Sequence, residues 1–90
     1  MKIVVNECWG GFGVSDFAME KLGIETRFEI ERTDEKLISL IEEFGSKKIS
    51  AGFADLQIAE IPDDATDWWV DEYDGNETLC YVKDGKRYFA

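Results

Sequence analysis

The sequence predicts a single α+β domain over residues 1–90, because helical and extended patterns occupy different halves of the chain. Apolar residues recur at helical spacing in two segments before residue 45. Short runs that alternate polar and apolar residues, separated by turn residues, follow these segments. We expect a small mixed sheet of four to five strands, formed by an N-terminal strand and a C-terminal antiparallel meander, with two helices packed on one face.

The first strand is predicted over residues 2–6, which read KIVVN. Ile3 and Val5 point to one face of such a strand and Val4 points to the other. Strands that are apolar on both faces are buried on both faces, so this pattern favours a central position in the sheet.

Two helices are predicted, over residues 16–22 and 35–44, from apolar positions three and four residues apart. Ser15 stands at the N-cap position of the first helix, and Thr33 or Asp34 at that of the second. Their short oxygen-bearing side chains can accept hydrogen bonds from the free backbone N–H groups of a first helical turn.

The remaining segments predict connections and strands. Residues 25–31 alternate, with Phe28 and Ile30 on one side, and predict a short strand or an extended connection; residues 45–50 predict a polar loop or a ragged helix end. Later strand patterns, separated by Pro62 and by two Asp-Gly turns, cover residues 53–61, 68–73, 77–83 and 86–89.

The chain is strongly acidic, with 20 acidic and 10 basic residues and a net charge of −10. Between Asp55 and Glu77 lie nine acidic residues and no Lys or Arg. Such a segment repels nucleic acid and anionic membranes, and no apolar run approaches the roughly 18 residues that a membrane span needs. We therefore expect a cytoplasmic protein that binds neither nucleic acid nor membrane directly and whose partner carries a basic surface.

The chain has no histidine and two cysteines, Cys8 and Cys80. The lack of histidine excludes Ser–His–Asp and Cys–His catalysis and the common histidine-containing zinc sites. The composition favours a non-enzymatic protein without metal or cofactor, in which both thiols are buried and reduced rather than joined.

A glycine-rich turn between the first strand and the first helix is one candidate site. Turns of this kind hold phosphate when their N–H groups and a helix N-terminus converge on it. The turn lacks the lysine of a Walker loop and the third glycine of a dinucleotide-binding loop, and two nearby carboxylates would repel phosphate. The alternative is a purely structural turn with Phe12 packed beneath it. The residues of this candidate ligand site are Gly10, Gly11, Phe12, Gly13 and Ser15.

The acidic segment is the other candidate site, and three interpretations of it remain open: a solvated face, a metal site, or a surface that fits a basic groove on another protein. Trp68 and Trp69 are adjacent on a predicted strand and cannot share a face, so one should reach the core while the other lies beside Tyr73. Exposed aromatic side chains rimmed by carboxylates are typical of protein-binding surfaces. The candidate partner-binding residues are Asp67, Trp68, Trp69, Asp71, Glu72, Tyr73 and Asp74.

Four collinear motifs cover most of the chain: a Gly-Gly-Phe turn after the first strand, an Arg-Thr-Asp helix start, EIPDD and EYDG. In these motifs the chain resembles a family of small phage and prophage proteins without an assigned activity. The chain departs from the family at Glu35, where proline is usual, and in its tail KDGKRYFA, where the family has histidine. The resemblance implies a phage-type origin and a shared role for the matching positions, which are Gly10, Gly11, Phe12, Arg32, Asp34 and the EYDG carboxylates.

We therefore expect a small acidic protein that binds a host protein through its acidic, aromatic meander, in the manner of a phage-borne inhibitor. The alternative is a small-ligand or phosphate-binding protein that uses the glycine-rich turn at residues 10–13.

Overall fold

The computed structural model describes residues 1–9, 11–27 and 29–90, and it contains helices and strands arranged in layers. In chain order the elements are β1 (Lys2–Asn6), α1 (Asp16–Leu22), α2 (Glu35–Phe44), α3 (Ser46–Ile49), β2 (Leu56–Glu60), β3 (Asp67–Tyr73), β4 (Asn76–Lys83) and β5 (Lys86–Phe89). The α+β class predicted from the sequence is confirmed.

The strands form two antiparallel sheets in the described part of the chain, one of order β1-β2 and one of order β3-β4-β5. The single mixed sheet of four to five strands is therefore not confirmed. The reason lies at the second edge of β1, where a side chain and a loop take the place of a strand. The Val4 N–H donates to the carbonyl oxygen of Arg32 (2.7 Å), and the Asn6 N–H donates to Glu77 Oε1 (2.8 Å).

The β1–β2 sheet is the middle layer of the molecule. Val4 faces a core that it shares with the helices, including Leu37 of α2 and Ile49 of α3. Ile3 and Val5 face a second core against the three-stranded sheet, where Leu79 of β4 meets them. β1 is buried on both faces, as its two apolar faces predict. It lies between two layers of the molecule, however, and not between two neighbouring strands of one sheet.

Both predicted helices begin where their N-cap residues predict. The Ser15 hydroxyl accepts a hydrogen bond from the Ala18 N–H, and the Asp34 carboxylate accepts one from the Leu37 N–H. Of the two candidates at the second helix, Asp34 is thus the cap and Thr33 is not.

The three-stranded sheet is a meander with two-residue turns. Asp74 and Gly75 both have positive φ (50° and 87°), as do Asp84 and Gly85 (53° and 76°). These are the backbone angles that an Asp-Gly hairpin turn requires, and they join β3 to β4 and β4 to β5. The predicted meander is confirmed.

For two segments the structure decides between the alternatives that the sequence leaves open. Residues 25–31 form no strand in the part of the chain that is described, and Phe28 lies outside the described residues. The segment instead contributes single backbone carbonyls to other elements, as Arg27 does for the Val14 N–H. Residues 46–49, in the segment predicted as a polar loop or a ragged helix end, form the one-turn helix α3, because Ile49 is buried in the helical core and holds the turn there.

Candidate functional site

The three-stranded sheet has an inner face, packed on β1 and β2, and an outer face that no helix covers among the elements described. Directly paired residues of antiparallel strands project to the same face, so the strand register assigns the side chains. The outer face carries Asp67, Trp69, Asp71 and Tyr73 from β3, Thr78, Cys80 and Val82 from β4, and Arg87 and Phe89 from β5.

Aromatic groups are prominent on the outer face. Trp69, Cys80 and Phe89 form one cross-strand row, in which Phe89 is 76% exposed and Trp69 is half-buried. Tyr73, at the far end of β3, is 72% exposed. Large apolar groups in this position cannot be explained by a core, because the cores lie on the other side of the sheet.

Trp68 points the opposite way. Its indole packs against the second core, beside Val70 and Tyr81. The expectation that one of the two adjacent indoles reaches the core is met by Trp68, so the indole on the outer face is that of Trp69, with Tyr73 on the same side.

Trp9 extends this aromatic surface and was not among the residues selected from the sequence. Its ring meets Tyr73 edge-on at 5.7 Å between ring centroids, and the side chain is 54% exposed. The sequence signal was the tryptophan directly before the glycine-rich turn, but its proximity to β3 is a tertiary contact that no local pattern encodes.

Four of the predicted carboxylates lie on β3 or in the turn after it. Asp67 and Asp71 project to the outer face and Asp74 lies in the turn, whereas Glu72, paired with Glu77, projects to the inner side and so lies off the predicted binding face. All four side chains are exposed, and within the described residues none has a Lys or Arg nitrogen within 4.0 Å. Two of them accept hydrogen bonds from nearby backbone, Asp67 from the Trp68 N–H (2.9 Å) and Glu72 from the Gly75 N–H (2.8 Å), and Asp71 accepts one from the Cys80 thiol across the strands. These carboxylates are therefore not ion-paired within the described residues, and Arg87, whose Cζ lies 6.0 Å from the Trp69 ring centroid, is a cation on the same face.

The other acidic residues of the segment do not belong to this surface. Asp63 and Asp64 pair with the Met1 ammonium and with Lys83. The ammonium donates a hydrogen bond to Asp63 Oδ1 (2.6 Å), which lowers the pKa of Asp63. Asp55 accepts a hydrogen bond from Ser46, and Glu77 is buried in an ion pair with Arg32. Glu60, at the end of β2, is the remaining acidic residue of the segment and lies opposite Lys2 in the β1–β2 register. The acidic stretch thus divides into structural and surface carboxylates.

Cys80 lies under the outer face and is 2% exposed. Burial, followed by the hydrogen bond from its Sγ to Asp71 Oδ2 (3.4 Å), raises the pKa of the thiol. Both cysteines are free, as predicted, although Cys8 is half-buried rather than buried. The Cys80 thiol therefore acts as a small packing group beneath Trp69 and Phe89 rather than as a nucleophile.

Gly10 of the glycine-rich turn lies outside the described residues, and the other residues of the candidate site have the following places in the fold. Ser15 caps α1 and also donates its hydroxyl to the Lys48 carbonyl oxygen (2.8 Å). Gly13 accepts a backbone hydrogen bond from Ala51, and Gly11 adopts a positive φ of 93°. Phe12 is buried under the Arg32 guanidinium, whose Cζ lies 3.7 Å from the ring centroid. These contacts are those of a structural turn.

Several positions of the four sequence motifs form hydrogen bonds, an ion pair or a helix cap within the fold. Arg32 stacks on Phe12, forms a bidentate pair with Glu77 and donates to the Val4 carbonyl oxygen. Asp34 is the N-cap of α2, and the carbonyl oxygen of Gly75 in the EYDG motif accepts a hydrogen bond from Asn6 (2.6 Å). Arg32 and Gly75, from two of the motifs, thus lie at the junction between the two sheets.

Nowhere in ranges 1–9, 11–27 and 29–90 do three cysteine or acidic side chains lie close enough together to hold a metal ion. No described helix has the length and apolar character needed to cross a bilayer. No family model, curated protein or solved structure matches the chain.

Proposed function

We propose that this chain is a small, non-enzymatic protein-binding module of phage or prophage type, which acts in the host cytoplasm on a host protein with a basic surface. The outer face of the β3–β5 sheet is the binding surface in this proposal. The observation that carries it is the combination, on one uncovered face, of exposed aromatic rings with carboxylates that have no ion-pair partner among the described residues.

The two kinds of side chain have different roles in such an interface. Trp69 and Tyr73 supply apolar area that is held rigid by the strand, which is the typical character of an interface anchor. Asp67, Asp71 and Asp74 supply a negative potential that speeds encounter with a basic partner and disfavours acidic ones. Affinity then depends on the aromatic groups, and partner choice depends on the charge.

The phage-type origin in this proposal is supported by the four collinear motifs of the sequence. The glycine-rich turn is not proposed as a ligand site, because the Ser15 hydroxyl and the N–H groups of Val14 and Ser15 already donate to backbone carbonyls.

The test is capture of proteins from bacterial lysate on the immobilised chain, with matched charge variants. Asp71→Asn with Asp74→Asn removes two charges from the outer face while preserving side-chain shape. Glu20→Gln with Glu43→Gln removes two exposed charges from the helical layer and serves as the control. We expect the wild type and the E20Q/E43Q control to retain a protein that has a basic surface. The D71N/D74N variant and the Trp69→Ala variant should fail to retain it.

The salt dependence provides a second readout. Retention should weaken as ionic strength rises from about 0.05 to 0.5 M, since exposed charge pairs are screened over roughly 10 Å at 0.1 M salt. The same proteins captured equally by the wild type and by the D71N/D74N variant would exclude the outer face as the binding surface.

A further inference from the structure

The free edge of β3 is the feature from which this inference starts. β3 pairs with β4 on one side and has no strand on the other side in the described part of the chain. In a two-residue hairpin, the residues that flank the turn exchange backbone hydrogen bonds, here Tyr73 and Asn76. Because backbone groups alternate along a strand, the N–H and C=O groups of Trp68, Val70 and Glu72 face the open edge.

One of these outward groups confirms the direction. The Trp68 N–H donates to the side chain of Asp67 (2.9 Å), so this amide points away from β4. The same carboxylate is exposed and can exchange that hydrogen bond for another partner. Natural edge strands use charged side chains in this way to discourage indiscriminate pairing.

The outer face of β3 also has a regular order along the strand. Asp67, Trp69, Asp71 and Tyr73 place a carboxylate, an aromatic ring, a carboxylate and an aromatic ring at successive outward positions. A strand added at the open edge would place its own outward side chains about 5 Å from these. The matching order on that strand is basic, apolar, basic, apolar at every second residue.

The charge of the molecule argues for a basic occupant over a second copy of the chain. Two copies would each bring a net charge of −10 to the contact. They would also bring the carboxylates that border β3, none of which has a cationic partner in the described residues. Like charges that face each other across a ladder are destabilising, whereas Lys or Arg beside Asp67 and Asp71 is favourable.

The geometry points to strand addition: the open edge of β3 binds an extended segment of a partner protein. Every second residue of that segment faces outward, and these outward residues are alternately basic (Lys or Arg) and apolar. The inference rests on the proposed function and names the form of the partner. Backbone hydrogen bonds to Trp68, Val70 and Glu72 hold the segment, and the outward side chains of β3 select its sequence.

The test uses the peptide Lys-Thr-Val-Thr-Lys-Thr-Val-Thr as the probe, with the ¹⁵N-labelled protein observed by NMR at low salt. We expect amide shifts concentrated at residues 67–73 and slower hydrogen exchange at Val70 and Glu72. A scrambled peptide of the same composition, with its lysines adjacent, should bind about tenfold more weakly. Asp67→Asn with Asp71→Asn should weaken binding of the ordered peptide by about fivefold to tenfold, and the E20Q/E43Q control should not.

Two N-methylated peptides separate strand addition from simple charge attraction, because methylation removes N–H donors and keeps every charge. Methylation at the threonines blocks antiparallel addition, and methylation at Lys and Val blocks parallel addition. One of the two should lose at least tenfold in affinity while the other binds like the parent.

Three results would overturn the inference: equal binding of both methylated peptides, no shift at residues 67–73 with millimolar peptide, or self-association of the free chain through its strand edges. If the lysate experiment captures a partner but the peptide does not bind as a strand at residues 67–73, the partner contacts the outer face through a folded surface. In that case the proposed function stands and strand addition does not.

Discussion

Glu77 and Arg32 illustrate how single residues join the layers of this protein. Glu77 is 8% exposed, and its carboxylate accepts both guanidinium nitrogens of Arg32 and the Asn6 N–H of β1. Arg32 in turn contributes its backbone carbonyl to the Val4 N–H and stacks on Phe12. One ion pair thus satisfies the strand edge that would otherwise be unpaired.

We predict that Glu77→Gln destabilises the protein by about 2 kcal/mol, because the substitution leaves the partly buried Arg32 without its countercharge. The glutamine can still accept the Asn6 N–H, so the loss reports on charge rather than on the backbone bond. The measurement is urea unfolding followed by circular dichroism.

Asp64→Asn is the matched control, since its pair with Lys83 spans 3.6 Å and its side chain is 69% exposed. It should change the free energy of unfolding by less than about 0.5 kcal/mol. Equal effects of the two substitutions would show that the Glu77 pair contributes no more than a surface pair.

At the scale of the element, α2 is defined by its own sequence. Leu37, Ile38 and Ile41 form its buried stripe, and Asp34 caps its first turn. These signals lie within one segment, so the helix could be predicted to the residue. The same holds for the Asp-Gly hairpins, whose turn geometry depends on local backbone preferences.

We predict that Asp34→Ala lowers the stability by about 1 kcal/mol, because the Leu37 N–H loses its acceptor at the start of the helix. Asp34→Ser should recover most of that loss, since serine also caps. Thermal unfolding of the three proteins measures the effect. Equal midpoints for the alanine variant and the wild type would mean that water replaces the cap without cost.

Elements that depend on distant contacts were predicted less well. Residues 25–31 alternate like a strand but lack a ladder in the described chain. Arg27 accepts a single backbone hydrogen bond from Val14, and Arg32, just beyond the segment, accepts one from Val4. α3 has four residues, which are too few to form a helix by propensity alone, and it exists because Ile49 enters the helical core.

At the scale of the whole molecule, the helices, the β1–β2 sheet and the meander form successive layers. β1 contributes Val4 to one core and Ile3 and Val5 to the other. A strand that belongs to both cores cannot leave one of them intact when it unfolds. The two cores should therefore unfold together.

We predict one cooperative transition that is sensitive to truncation in either core. Leu37→Ala in the first core and Leu79→Ala in the second should each lower the free energy of unfolding by about 2–4 kcal/mol. Far-UV circular dichroism reports mainly on the helices, and tryptophan fluorescence reports mainly on the meander, which holds Trp68 and Trp69. The two signals should give the same midpoint in each variant.

Separate midpoints would contradict this prediction. In particular, loss of fluorescence in Leu79→Ala before the helical signal changes would mean that the meander unfolds as an independent unit and that the β1 cores are not coupled.

The sequence by itself determined the elements whose signals are local: the caps, the helical stripes, the two-faced first strand and the Asp-Gly turns. It also placed a carboxylate and an aromatic ring in alternation along β3, since side chains alternate between faces in any strand. Only the tertiary structure decided which indole faces outward, that Trp9 joins Tyr73, and that Glu77 leaves the acidic surface to pair with Arg32. These outcomes depend on which layers meet, because burial and ion pairing are properties of segments that are distant in the chain and adjacent in space.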